Sequence, residues 1–116
     1  MDLAEIREIA SDIRSQFLRK QIDEEVLNRL YHEYNPLENV NLFVGRAEDI
    51  FPNLNCGLTA VYLQYVLCCG RVVNGRYEKE DHTFLLVYES VVVDITADQY
   101  GGPEVYVGPL QNPWSI

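Results

Sequence analysis

Three side chains in this sequence have the types needed for thiol-based acyl chemistry, and they occur in the order Cys56, His82, Asp94. Cys56 stands in Asn53-Leu54-Asn55-Cys56-Gly57-Leu58-Thr59-Ala60-Val61-Tyr62, a polar turn running into an apolar stretch. The pattern predicts a cysteine in the first turn of a helix. There, unpaired backbone N–H groups and the positive end of the dipole favour a thiolate, drawing the pKa below the free value of ~8.5. A thiolate turns over an amide only if one group holds it ionised and another protonates the leaving amine. Histidine does both, and an acid on its far nitrogen fixes the tautomer. His82 in Asp81-His82-Thr83-Phe84-Leu85-Leu86-Val87 and Asp94 in Val91-Val92-Val93-Asp94-Ile95-Thr96 supply one of each.

Each residue also has an ordinary reading. A lone buried cysteine behaves as a small hydrophobe, a histidine at a strand start is usually a hydrogen-bonded residue, and Asp94 can brace the turn before Thr96. Against this, an aspartate among Val91, Val92, Val93 and Ile95 is costly to bury without a partner, and the chain has two histidines to offer.

Strand geometry supplies a test. If His82 and Asp94 act together they share a face of the sheet, and with side chains alternating at period two this fixes the parity of the connection between their strands. A two-residue loop, Glu89-Ser90, puts them on opposite faces. A three-residue loop, Tyr88-Glu89-Ser90, pairs Val87 with Val91 and makes His82 the diagonal neighbour of Asp94, ~7–8 Å away along the backbone. The three-residue loop or an equivalent bulge is therefore expected, although no glycine is present to take a left-handed conformation.

The elements that must position these residues follow from periodicity. Leu3, Ile6, Ile9, Ala10, Ile13 and Phe17 predict a helix over Leu3 to Leu18 with Asp2 as N-cap. Asp23 caps a second through Val26, Leu27, Leu30 and Tyr31, ended at Asn35-Pro36 because the residue before proline resists the α region. From Asn35 to Asn55 the asparagines, prolines and glycine read as a long connection with at most one extended segment or helical turn, forming a wall of the cleft. Cys56 to about Cys69 reads as a largely buried helix closed by Gly70.

Beyond it, Arg71 to Tyr77 reads as a strand broken by an Asn74-Gly75 turn, and Glu78 to Asp81 as charged loop. His82–Tyr88 and Val91–Thr96 are near-continuous apolar strands covered on both faces. Ala97 to Pro103 turns the chain, Glu104–Val107 is a short last strand, and the tail is proline-punctuated. Helices followed by antiparallel strands make the class α+β, with the cysteine-bearing helix packed on the sheet in one domain, residues 1–116.

Composition narrows the partners. With 116 residues, 47% of them apolar, the chain can build a core and is not disordered. Eighteen acidic against nine basic residues give a net charge of -9, which repels nucleic acid and anionic membranes and leaves a protein or peptide partner. The start Met1-Asp2-Leu3-Ala4-Glu5 lacks signal-peptide features and no run approaches ~18 apolar residues, so an intracellular, cytoplasmic location is expected. The three cysteines read as reduced thiols.

Asn55-Cys56-Gly57 opening a helix, His82 opening an apolar strand and Val93-Asp94-Ile95-Thr96 on the next resemble the core of the papain-like, transglutaminase-like cysteine enzymes over about Asn53 to Val107, half of the chain. The resemblance implies a cysteine-bearing helix on an antiparallel sheet and activities spanning peptide hydrolysis, glutamine deamidation and acyl transfer, without a cofactor. It makes Cys56 the nucleophile, His82 the base and Asp94 the orienting acid. Gly57 stands where many transglutaminases have tryptophan, and no glutamine lies just upstream of Cys56 where papain-like proteases place an oxyanion donor. Asn53 or Asn55 beside the Cys56 amide, or Gln99, are the candidates for that donor.

Other chemistry fits less well. A zinc site from Cys56, Cys68, Cys69 and His82 suffers from adjacent Cys68 and Cys69, which point about 100° apart on a helix. His32 near a helix end is explained by the dipole, and Gly101-Gly102-Pro103 is a turn without the strand-to-helix context of a phosphate loop. Trp114 is compatible with sealing a groove or with a partner contact. The expected function is a thiol peptidase, amidase or glutamine deamidase. The alternative is an inactive version of the same fold serving as an acidic protein-binding module.

Overall fold

Apolar residues three and four apart make the first half of the chain helical, and the first two helices take their start from a capping aspartate. In the computed structural model, which describes residues 1–116, α1 (Leu3–Leu18) begins where the Asp2 carboxylate accepts the Glu5 N–H at 2.8 Å. It buries Ile6, Ala10, Ile13 and Phe17 on one face. Helix α2 (Glu24–Tyr34) is capped by Asp23, which accepts the Glu25 and Val26 N–H groups, and it stops before Pro36. Next come α3 (Val40–Asp49) and α4 (Cys56–Leu67), the latter buried on almost every side through Leu58, Thr59, Ala60, Val61, Tyr62, Leu63 and Leu67.

The second half is sheet: β1 (Arg71–Tyr77), β2 (Glu80–Val87), β3 (Val91–Asp94), β4 (Tyr106–Pro109) and β5 (Trp114–Ser115), with a 3-10 turn at Ala97–Tyr100 between β3 and β4. The strands run antiparallel in the order β4-β3-β2-β1-β5. The class is α+β, helices packed on a five-stranded sheet. Alternation sends Leu85, Val87, Val93 and Val107 into the helix layer, where they meet Leu58, Leu63, Phe17 and Leu27. The opposite face carries Val73, Tyr77, Phe84, Leu86 and Val92 and is covered by Trp114, Ala97 and the Tyr100 and Tyr106 rings. With both faces covered, the strands read as continuous apolar runs.

Arg14 of α1 ties the helix layer to the chain leaving β3. Its guanidinium donates to both Asp98 carboxylate oxygens, at 2.9 and 2.8 Å, and to the Ile95 carbonyl at 2.6 Å. The ends of Asp94's strand and of the 3-10 turn are thereby fixed to α1.

Several expected boundaries differ. The connection from Asn35 to Asn55 contains a full helix, α3, because Val40, Phe43, Val44 and Ala47 fall on one face and pack into the core. Helix α4 closes earlier than expected, at Cys68, which takes the left-handed conformation (φ 55) that Gly70 was expected to supply. Asn74-Gly75 is no turn: β1 runs unbroken through it. A Cβ on Gly75 would lie 2.3 Å from the Ser115 carbonyl and 2.9 Å from the Phe84 ring, so close approach of β5 and Phe84 is what requires glycine there. The reversal comes instead at Glu78-Lys79, where Glu78 has φ 55, and β2 already begins at Glu80. The last strand starts two residues later than expected, at Tyr106, and the tail adds β5.

Candidate active site

Cys56 is the first residue of α4 and is half-buried. No side chain caps this helix. Asn55, placed to do so, is fully buried with its amide donating to the carbonyls of Ala47 and Asn53, both at 2.7 Å. This corrects the expectation that Asn55 offers a donor to substrate: its N–H groups pin the end of α3 to the start of α4. The consequence for Cys56 is a helix start whose first amides find no acceptor in the protein, with the positive dipole end left for the sulfur.

His82 and Asp94 meet on the sheet face away from the helices. The ladder pairs Val87 with Val91 and Leu85 with Val93 around Tyr88-Glu89-Ser90, the three-residue connection that parity demanded. Tyr88 (φ 56) and Glu89 (φ 57) accept the left-handed conformation without glycine. His82 Nε2 lies 2.6 Å from Asp94 Oδ2; because a carboxylate only accepts, the shared proton belongs to Nε2. Asp94 Oδ2 also accepts the Trp114 indole N–H at 2.8 Å, and Oδ1 accepts the Thr96 N–H at 2.9 Å and hydroxyl at 3.3 Å. Asp94 thus braces the turn with one oxygen and holds the imidazole with the other. Four donors make a buried carboxylate tolerable.

An aromatic box fixes the ring. Tyr100 stands edge-on to His82 at 5.3 Å between centroids and Tyr77 at 6.3 Å, while Trp114 packs edge-on to Tyr77 and stacks on Tyr106. The His82 side chain has no solvent exposure.

The sulfur reaches the ring where the sheet opens. Regular pairing between β2 and β3 ends at Leu85 and Val93, and beside the freed segment of β2 the backbone N–H of Thr83 favours the Cys56 thiolate. His82 Nδ1 is buried with no hydrogen-bond partner, and the ring and the thiol shift each other's pKa. Burial pushes the Cys56 thiol up, but the His82 imidazole and then Thr83 outweigh it, and the net shift is downward. Burial pulls His82 down, but Asp94 and then Cys56 outweigh it and lift the pKa to about 9. The two shifts work together: beside each other the thiol is easier to ionise and the imidazole easier to protonate than either is free in water.

A cavity of about 370 Å³ lies at the sulfur, lined by Cys56, Asn74, Gly75, Asp81, His82 and Thr83. A second, of about 600 Å³, is bounded by Tyr77, Glu78, Lys79, Glu80 and Tyr100. Neither Asn53, exposed on the turn before α4, nor Gln99, half-buried in the 3-10 turn, lines the first. Gly57 lies against the Tyr31 ring, which a Cβ would approach to 3.3 Å, closer than ordinary contact. Cys68 and Cys69 are free thiols at the far end of α4, Cys68 exposed and donating to the Tyr65 carbonyl. No group of three or more His, Cys, Asp or Glu side chains is arranged to hold a metal ion, and no helix is long and apolar enough to cross a membrane.

Trp114 and Asn74 were not identified as site residues by sequence reasoning. The indole sits on a two-residue strand whose pairing has no sequence signal, and Asn74 was masked by the Asn-Gly turn pattern. Comparison with protein-family models, with curated proteins and with solved structures finds no match to this chain.

Proposed function

We propose that this protein is a cysteine-dependent amide-bond enzyme of the papain-like, transglutaminase-like kind, acting on a protein or peptide. The observation that carries the reading is the continuous arrangement Asp94–His82–Cys56: a satisfied carboxylate on Nε2, an unpartnered Nδ1, and a half-buried thiol of lowered pKa at an uncapped helix start. Cys56 sulfur attacks the carbonyl carbon, forming C–S and placing negative charge on the carbonyl oxygen. The His82 Nδ1 proton goes to the leaving amine as the C–N bond breaks, and the neutral ring then takes a proton from the water that cleaves the thioester. Asp94 holds the ring throughout. A small cavity with several polar lining groups suits hydrolysis or deamidation of an accessible amide, and no second site for an amine acceptor is needed.

Iodoacetamide at pH 6, with the modified cysteine located by mass spectrometry, tests this. The proposal requires Cys56 to alkylate far faster than Cys68 and Cys69, since only a thiolate reacts and an ordinary thiol is almost wholly protonated there. Equal slow labelling of all three would leave the fold as a binding module.

A further inference from the structure

We infer that Asn74 is the side-chain donor to the developing oxyanion, an assignment that rests on Cys56 being the nucleophile. An acyl transfer at Cys56 places negative charge on the substrate oxygen, and stabilising it takes N–H donors already aimed at the cavity. The Cys56 N–H, uncapped at the start of α4, is one. A second has to come from the cavity lining, and of the side chains there Asn74 alone carries an unengaged amide.

Its orientation is fixed by two hydroxyls. Asn74 Oδ1 accepts the Tyr34 hydroxyl at 2.9 Å and the Thr83 hydroxyl at 2.9 Å. With both hydroxyls donating to the oxygen, the NH2 group makes no hydrogen bond within the protein and is left for the cavity. The three residues come from α2, β1 and β2, so the donor is set by the packing of separate elements and needs no rearrangement when charge appears. Thr83 has a double part, its backbone N–H favouring the thiolate and its hydroxyl orienting the amide. The donors expected from sequence are elsewhere: Asn55 is tied to Ala47 and Asn53, and Asn53 and Gln99 do not line the cavity.

Two reagents on the same sulfur separate this role from simple activation of the thiol. p-Nitrophenyl acetate acylates Cys56 through a tetrahedral oxyanion, forming C–S and releasing p-nitrophenolate without a proton. Iodoacetamide alkylates the same thiolate by displacing iodide, with no oxyanion. Asn74→Ala is expected to slow acetylation roughly 10²-fold, the usual loss for one oxyanion donor, while alkylation stays within about twofold. Tyr34→Phe, which frees one side of the amide oxygen, is expected to give a smaller loss of acetylation alone. Acetylation unchanged in both variants, or acetylation and alkylation falling in parallel, overturns the assignment. If wild-type Cys56 alkylates no faster than Cys68 and Cys69, the nucleophile itself is lost and the assignment falls with it.

Discussion

The two faces of the sheet are built from different materials. Toward the helices it presents Leu85, Val87, Val93 and Val107, aliphatic side chains filling a core with Leu58, Leu63 and Phe17. Away from them Val73, Leu86 and Val92 are joined by Tyr77, Phe84, Trp114, Tyr100 and Tyr106, whose rings gather around His82 and Asp94. The aliphatic face needs only volume and alternation. The aromatic face supplies rings whose edges pack on an imidazole and whose one indole N–H meets a carboxylate, which lets a polar pair be buried without an unpaired charge. The aliphatic layer contributes stability alone, whereas the other contributes stability and also holds the polar pair beside Cys56.

Substitutions on the two faces should then separate. The largest effect is expected from Asp94→Ala, which deletes the acceptor of the His82, Trp114 and Thr96 donors together. Acetylation of Cys56 by p-nitrophenyl acetate should fall roughly 10²–10⁴-fold, and urea unfolding should show a loss of about 3–5 kcal/mol, the range for breaking a buried pair. Leu85→Ala on the opposite face is expected to cost about 2–5 kcal/mol by leaving a cavity, with the alkylation rate of the folded protein unchanged. Should Leu85→Ala slow Cys56 as much as Asp94→Ala does, the division between faces is wrong.

Trp114→Phe is smaller and sharper. It keeps an aromatic ring against Tyr106 and Tyr77 but removes one hydrogen bond to a charged oxygen, for a cost of about 1.5–3 kcal/mol in urea unfolding. No measurable change would mean that His82 and Thr96 satisfy Asp94 without the indole.

The smallest effect is a pH dependence. The raised pKa of His82 contributes stability that is complete below the unfolded value of ~6.5 and is lost as pH rises through about 9. The lowered pKa of Cys56 works in the other sense, contributing stability above the unfolded thiol value of ~8.5 that is lost as pH falls through the folded one. Between ~6.5 and ~8.5 the two contributions therefore oppose each other. The stability difference between wild type and Cys56→Ala should grow as pH rises toward ~8.5, and that between wild type and His82→Ala should shrink as pH rises toward about 9. Slopes of the same sign in both comparisons would show that the two groups do not shift in opposite senses.

Much of this was legible in residue order. Asp2 and Asp23 announced their helices, and the parity needed to bring His82 and Asp94 together selected the connection Tyr88-Glu89-Ser90. What stayed hidden depends on distant partners. Helix α3 was obscured because Asn39, Asn41 and Gly45 dilute the periodicity of Val40, Phe43, Val44 and Ala47, whose burial against other helices decides the matter. Gly75 looked like part of a turn because nothing local reveals that Ser115 and Phe84 press on it. Asn55 looked like a donor until the carbonyls of Ala47 and Asn53 were seen to occupy its amide.

The central claim, a Cys56–His82 ion pair held by Asp94, is tested most directly by titrating the His82 ring nitrogens by NMR in the wild type and in Cys56→Ala. The ring should stay protonated on both nitrogens through neutral pH and titrate near 9, with a lower pKa once the sulfur is removed. A wild-type ring that loses its proton near the ordinary ~6.5, unmoved by Cys56→Ala, would contradict the account.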